Sequence, residues 1–358
     1  MTVQKALVIG GNGFVGRHLV EDLIALKKEV YVFDVRKSPD YDTDSNLRQN
    51  VKKFYEGDLT NMDTVLNALK ESQVDTIFHC ATPSPFAPAN ILHKVNIEGS
   101  KTLLQCCKLA APTVKNIVLT SSASVVYSGR DVVNADETTP YATKGYNPYT
   151  DSKIAQEKLL LEAYDKAEYG HVKIVSIRPA SIFGERDPLF YPNLIATAKS
   201  GKTKFRVGNR QNDNDFTYVK NVCHGLLLAA QNMDQVAGQA FFITNDEPIP
   251  FWDYIGMVWE TYGASKPTIC IPLNVMWFVG MVITYVFWLI DLLTLGHVKL
   301  DVPPPVSPEK LSYFYTYRTH SIAKAKKLLG YKPLVNMEEA TKRTVEWFKK
   351  QDESKKTK

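Results

Sequence analysis

Ala6-Leu7-Val8-Ile9-Gly10-Gly11-Asn12-Gly13-Phe14-Val15-Gly16 opens on four apolar residues and closes on a turn punctuated by glycine. A run that short, bounded by glycine, reads as a strand buried on both faces rather than a helix. An amphipathic segment from Phe14 to about Leu26 follows, then a second apolar run, Val30 to Phe33, ending in Asp34. Strand, turn, helix and strand thus fall within about 30 residues, the size of one βαβ unit. Gly10 permits the tight turn, Gly13 lets backbone approach a ligand, and Gly16 lets the helix pack close, so that its first amides face an anion. Glycine turns are common; this one gains weight from Asp34 at the tip of the second strand. A carboxylate there accepts hydrogen bonds from an adenosine ribose and repels a 2′-phosphate, favouring NAD over NADP. Arg36 nearby softens that choice, so NADP stays admissible. The expected cofactor contacts of this unit are Gly10, Gly11, Asn12, Gly13, Phe14, Val15 and Asp34.

Outward from this unit the alternation continues. Thr76 to Cys80 reads as a buried strand, Asn96 to Leu109 as a helix and Asn116 to Thr120 as a strand. Tyr149 to Ala167 reads as a helix and Val172 to Ile177 as a strand. Strands alternating with helices imply an α/β fold, a Rossmann-type doubly wound parallel sheet. After Arg178 proline, charge and aromatics mix. The expected organisation is a mainly dinucleotide-binding domain over residues 1–178 and a smaller substrate region over 179–271. A hydrophobic segment over 272–298 and a remainder with a basic tail over 299–358 complete it.

Composition narrows the classes. With 358 residues, 44% of them hydrophobic and 23% charged, the chain buries a sizeable core. A net charge of +5 without a basic stripe interleaved with aromatics excludes a nucleic-acid binder, while mild attraction to anionic lipid remains. The five cysteines, Cys80, Cys106, Cys107, Cys223 and Cys270, have neither metal-ligand nor redox spacing, so reduced thiols and no metal are expected. No signal peptide precedes the first strand, so the body is expected on the cytosolic side.

Tyr149-Thr150-Asp151-Ser152-Lys153 sets a tyrosine and a lysine four apart on one helical face. A tyrosine is a poor base at neutral pH, and a neighbouring ammonium favours its phenolate. The strand Asn116 to Thr120 runs into Ser121-Ser122 at the carboxyl edge of the sheet, where ligands sit. The pairing arises easily by chance as a buried tyrosine and a solvated lysine. Downstream of a dinucleotide turn, and beside a strand ending in serine, the catalytic reading is preferred: Tyr149 as base, Lys153 supporting it and Ser122 orienting a hydroxyl.

These pieces, with Gly57-Asp58-Leu59, His79-Cys80-Ala81 and Arg178-Pro179, resemble the extended short-chain dehydrogenase/reductase superfamily over nearly the whole chain. The stretches Arg178 to Pro188, Phe216 to Gly225, Phe242 to Trp252 and Tyr331 to Val335 are similar to its 3β-hydroxysteroid dehydrogenase branch. Gly10 departs from a superfamily position that is often threonine, without harm to phosphate binding. The resemblance implies that Asp58 and Leu59 lie by the adenine and Ala81 borders the cofactor. It also implies that Pro179 and Ile182 flank the nicotinamide, with Tyr149 and Lys153 touching the cofactor. It further implies NAD-dependent oxidation of the 3β-hydroxyl of a 4α-carboxysterol, with decarboxylation, in sterol synthesis. Arg186 and Lys204 are candidates for meeting the substrate carboxylate. A homodimer fits the same resemblance. Other readings are a 3β-hydroxysteroid dehydrogenase/isomerase, a sugar-nucleotide epimerase and a non-catalytic NAD-binding sensor. The intact Ser122, Tyr149 and Lys153 argue against the sensor.

Val275 to Leu295 is apolar except mainly for Thr284, Asp291 and Thr294, and its 21 residues match the roughly 20 that span a bilayer. The stretch also counts against an epimerase. Because later residues resemble the end of the same fold, the segment around 272–298 is expected to dip into a membrane and return, or to lie on it, with bends at Pro272 or Gly280. Lys355 and Lys356 resemble a dilysine signal, so the endoplasmic reticulum membrane is the expected site, with lipid droplets as a second.

Overall fold

Seven parallel strands form the frame on which the expected site residues sit. The computed structural model describes residues 3–110, 113–164, 166, 169, 172–208, 211–294, 311–312 and 314–356. The strands are β1 (Lys5–Ile9), β2 (Glu29–Asp34), β3 (Val51–Glu56), β4 (Thr76–His79), β5 (Asn116–Thr120), β6 (Lys173–Pro179) and β7 (Ala240–Ile243). Their spatial order is β7-β6-β5-β4-β1-β2-β3. The chain leaves β1 toward β2 and β3 on one side and later takes up β4 on the other, so the switch point lies at the end of β1.

Both faces of the sheet are buried, which is why its strands read as unbroken apolar runs. Ala6, Val8, Val118, Val175 and Ile177 enter the core beneath α1 (Phe14–Ala25). Leu7, Ile9, Ile117, Leu119 and Ile174 enter the opposite one, with side chains of α2 (Met62–Ser72), α3 (Gly99–Ala110) and α4 (Pro148–Tyr164). The period-two alternation of a strand alone sorts neighbouring residues into separate cores.

Residues beyond 178 do not stay apart. Helix α5 (Val219–Gln231) packs on α1, and β7 extends the sheet beside β6, so this later stretch completes the first domain. The rest of the region is held by an aromatic core that includes Phe183, Tyr191, Phe216, Tyr254 and Trp259. A four-stranded sheet joins Ile249–Pro250, Asp213–Asn214, Arg318–His320 and Val132–Ala135.

The apolar stretch forms α6 (Leu273–Leu293), continuous through Gly280, the one buried residue of its 21. It is entered from a two-stranded ribbon of Phe205–Val207 and Ile269–Ile271. Residues 295–298 of the expected hydrophobic segment, and Thr357 and Lys358 of the basic tail, lie outside the described residues.

Candidate active site

At the switch point the glycines are required by space. Gly10 has φ +79°, and a Cβ there would lie 2.6 Å from the backbone of Ala81. A Cβ on Gly16 would lie 2.1 Å from the carbonyl oxygen of Gly10, so α1 approaches the turn at a distance that admits no side chain. Gly10 N–H donates to Phe33 O at 2.8 Å and Gly13 N–H to Gly10 O at 3.0 Å, fixing the turn against β2. Asp34 accepts from Asn12 N at 2.9 Å and Val35 N at 2.8 Å. Burial raises its carboxyl above the usual range, and these amide donors work against that shift. Glycine turn, helix N-terminus and acidic strand tip thus fit a dinucleotide.

The remaining expected contacts follow the same edge. Asp58 and Leu59 come just after β3, where Gly57 N–H donates to Asp34 O at 2.9 Å. Asp58 is held by Thr60 and by Lys94 at 2.8 Å, and Leu59 packs under Gly99. Ala81 lies two residues past β4, Pro179 ends β6, and Ile182 starts the short strand Ile182–Phe183. Phe14 and Val15 open α1.

Helix α4 starts where it does because Asn147 Oδ1 accepts from Thr150 N at 2.9 Å and Pro148 occupies the first turn, where a missing N–H is harmless. Tyr149 is therefore on the first turn, half-buried. One turn on, Lys153 is 1% exposed. Its Nζ donates to Thr120 O and to Gln156 Oε1, both at 2.9 Å. Burial pushes it down to about 8, which leaves it mainly protonated at pH 7. Thr120 is the last residue of β5, so this bond pins α4 against the strand leading to Ser122. Ser122 caps the helical turn Ala123–Val126, accepting from Ser124 N at 3.1 Å and donating to Ser124 Oγ at 2.9 Å.

Behind these residues lies a buried polar network that sequence reasoning missed. Asn96 Nδ2 donates to Ser152 Oγ at 2.9 Å, and Ser152 donates to Tyr149 O at 2.7 Å. Gln156 Nε2 lies 3.1 Å from Ser100 Oγ and 3.2 Å from His79 Nε2. Burial pushes His79 down to about 3, so it stays neutral. Asn96 lies in a π-helical turn, Lys94–Glu98, within the segment expected to be regular helix from Asn96. The available signal was spacing: Tyr149, Ser152, Lys153, Gln156 and Glu157 recur at three and four residues, a polar stripe on a helix that faces the sheet.

The two candidate cations for a substrate carboxylate differ in setting. Arg186 pairs with Glu21 of α1 at 3.0 Å, and Lys204 lies in the exposed approach to the ribbon before α6. Among the described residues no group of three or more His, Cys, Asp or Glu gathers to hold a metal ion.

A parallel sheet wound in this order, with a tyrosine and a pinned lysine beside the strand tip next to a dinucleotide turn, is the arrangement of the short-chain dehydrogenases and reductases. That is the class of this oxidoreductase. Within it the chain belongs to the 3-beta hydroxysteroid dehydrogenase/isomerase family, whose model matches residues 7–273. It is 40% identical over 349 residues to the decarboxylating sterol-4-alpha-carboxylate 3-dehydrogenase of Mus musculus, covering 96% of this chain and 91% of that one. It is 35% identical over 357 residues to the enzyme of that name in Saccharomyces cerevisiae, covering 97% and 98%. In fold it is similar to dTDP-glucose 4,6-dehydratase from Streptomyces venezuelae, solved with NAD bound. The TM-score is 0.72 at 21% identity, over 98% of both chains.

Proposed function

We propose that the chain uses NAD to oxidise the 3β-hydroxyl of a 4α-carboxysterol to a 3-keto sterol, releasing carbon dioxide. The observation that carries the oxidation is Lys153, buried and held at the tip of β5 one helical turn from Tyr149. The sterol acid as substrate follows the names of the relatives.

Bound NAD supplies the hydride acceptor. Tyr149 removes the hydroxyl proton, its phenolate favoured by the Lys153 ammonium. Ser122 orients the hydroxyl toward Tyr149. Oxidation at C3 leaves a carboxylate one carbon from the new carbonyl. When the bond to that carboxylate breaks, its electron pair passes to the carbonyl oxygen as an enolate, and a proton returns to C4. The chain's part in this second step is to hold the acid while it happens.

We further propose that α6 seats the enzyme on the endoplasmic reticulum membrane with the body on the cytosolic side. Its side chains are apolar almost throughout, and Phe278, Met281 and Tyr285 are among the most exposed. What supports a segment that returns rather than crosses once is pairing: Arg318, after α6 in the chain, is in register with Val132 of the body. By Leu311 the chain lines the same groove as Trp277 and Gly280, back beside the first half of α6. An excursion that leaves and returns on one side suits an embedded or interfacial helix.

The test is incubation of the purified enzyme with a carboxyl-labelled 4α-carboxysterol and NAD or NADP. Labelled carbon dioxide and a 3-keto sterol are expected, faster with NAD. An isomerised product that keeps its carboxyl group would favour the dehydrogenase/isomerase reading.

A further inference from the structure

We propose that Arg318 receives the carboxylate of the substrate. The inference rests on the sterol-acid reading above and goes beyond it by naming the residue that selects an acid over a neutral sterol. A carboxyl group on C4 is next to the hydroxyl that Tyr149 deprotonates, so its cation belongs beside Tyr149 and Ser122.

Both arms of the site lead to Arg318. Ser122 begins the helical turn Ala123–Val126, and Tyr127 ends it. The Arg318 guanidinium lies over the Tyr127 ring, 3.8 Å from its centroid. Tyr146, three residues before Tyr149, meets the Tyr127 ring edge-on at 5.0 Å. Gly129, with φ +92°, passes so close that a Cβ would lie 2.8 Å from the Tyr146 ring. One aromatic pair therefore bridges the loop after Ser122 and the start of α4, and the guanidinium lies against it.

The guanidinium is oriented as well as located. Its Nη2 donates to Ser312 Oγ at 3.0 Å and its Nε to Thr316 Oγ1 at 3.2 Å. A guanidinium stacked on a ring and fixed at its edge is pre-organised for the paired bonds a carboxylate accepts.

An apolar groove adjoins this cluster in the chain. Ser312 follows Leu311, which lines an open groove of about 400 Å³ with Trp277, Gly280, Met281 and Trp288 of α6. That volume is in the range of small-molecule sites. A sterol acid has an apolar body for such a groove and an anionic end for an arginine bonded to Ser312, the residue after Leu311.

Arg318→Gln and Arg318→Lys enzymes, with melting temperature and NAD affinity recorded, are compared on a 4α-carboxysterol and on the same sterol lacking the carboxylate. The Gln variant is expected to raise KM for the acid about ten- to a hundredfold, the range for a lost charged hydrogen bond. The KM or Ki of the neutral sterol should stay put. Arg318→Lys keeps the charge and should recover part of the loss; where the Gln variant fails to fold, a severalfold rise for the acid alone in Arg318→Lys decides the matter. Equal losses on both sterols, or an unmoved acid KM, overturn the assignment. A wild-type enzyme that oxidises the neutral sterol and ignores the acid overturns the sterol-acid reading first, and Arg318 with it.

Discussion

Helices α4 and α6 invert the ordinary rule of burial. Helix α4 is polar in composition, yet Lys153, Gln156 and Glu157 on it are essentially inaccessible. Helix α6 is apolar nearly all round, yet only Gly280 is fully buried. The two inversions have different causes. These buried polar groups of α4 meet protein partners: Lys153 has Thr120 O and Gln156, while Glu157 accepts from Arg178, Ser176 and Tyr141. Burial works to raise the Glu157 carboxyl, and the Arg178 guanidinium with these donors holds it below the usual range. Buried charge held this way is tolerated when each charge is paired and hydrogen-bonded. The apolar residues of α6 have no such answer within the described residues. Under the proposed seating their partner is a phase outside the protein, and lipid is the one that suits a helix of this length.

The sharpest break of the comparison is at Tyr149. If the α4 network exists to poise that phenol, Tyr149→Phe should lower kcat by roughly 10²–10⁴-fold, the usual worth of a positioned acid–base group. NAD affinity should barely change, because the glycine turn and Asp34 are untouched. Steady-state NADH formation and calorimetric titration with NAD check the two halves. Turnover retained in the mutant would reduce α4 to a structural helix.

On α6 the matching test adds charge where apolar side chains are exposed. Phe278→Lys with Val282→Lys puts two ammonium groups on neighbouring turns of an exposed surface. Binding to phospholipid vesicles should weaken by at least about tenfold, since a charge moved to apolar lipid costs up to about 2.5–3.5 kcal/mol. The melting temperature should hardly move, because these side chains are largely outside the folded body. A mutant that still sediments with vesicles would mean that another surface holds the membrane.

The same contrast explains which parts were legible in the sequence. Strands β1, β2 and β5 were read within a residue or so because glycine, aspartate and serine punctuate buried apolar runs. Strand β3, Val-Lys-Lys-Phe-Tyr-Glu, went unread: at the sheet edge its outward residues are lysines, and the apolar run is broken. Strand β7 is fully buried, but it follows a stretch of mixed composition, and only tertiary pairing with β6 makes it part of the first domain. In the candidate site, the placing of Tyr149 and Lys153 on successive turns of one helix was legible because their spacing is local. Asn96, Ser100, His79 and Gln156 were not, because they converge from three separate segments. Arg318 was hidden for the same reason, nearly two hundred residues from Tyr127.

Lys153 gives the smallest effect and the most direct measure of what buried charge does to α4. Its pKa is about 8 in the folded chain against 10.5 as a free side chain. Below pH 8 both states carry the proton, so the folded state bears the whole cost of a buried ammonium. Between pH 8 and 10.5 the unfolded chain keeps the proton that the folded chain has released, so stability rises with pH across that window. Three neighbours do not blur it: His79 is already neutral, Cys80 is pushed up to about 11, and Glu157 is ionised throughout. Lys153→Met lacks this proton. The melting temperature of the Met variant minus that of the wild type should therefore fall as pH rises from 7 to 9.5. The expected change is on the order of 2 kcal/mol, or roughly 2–4 °C. A difference constant with pH would mean that Lys153 is neutral or solvated in the folded enzyme, and the support it lends to the Tyr149 phenolate would go with it.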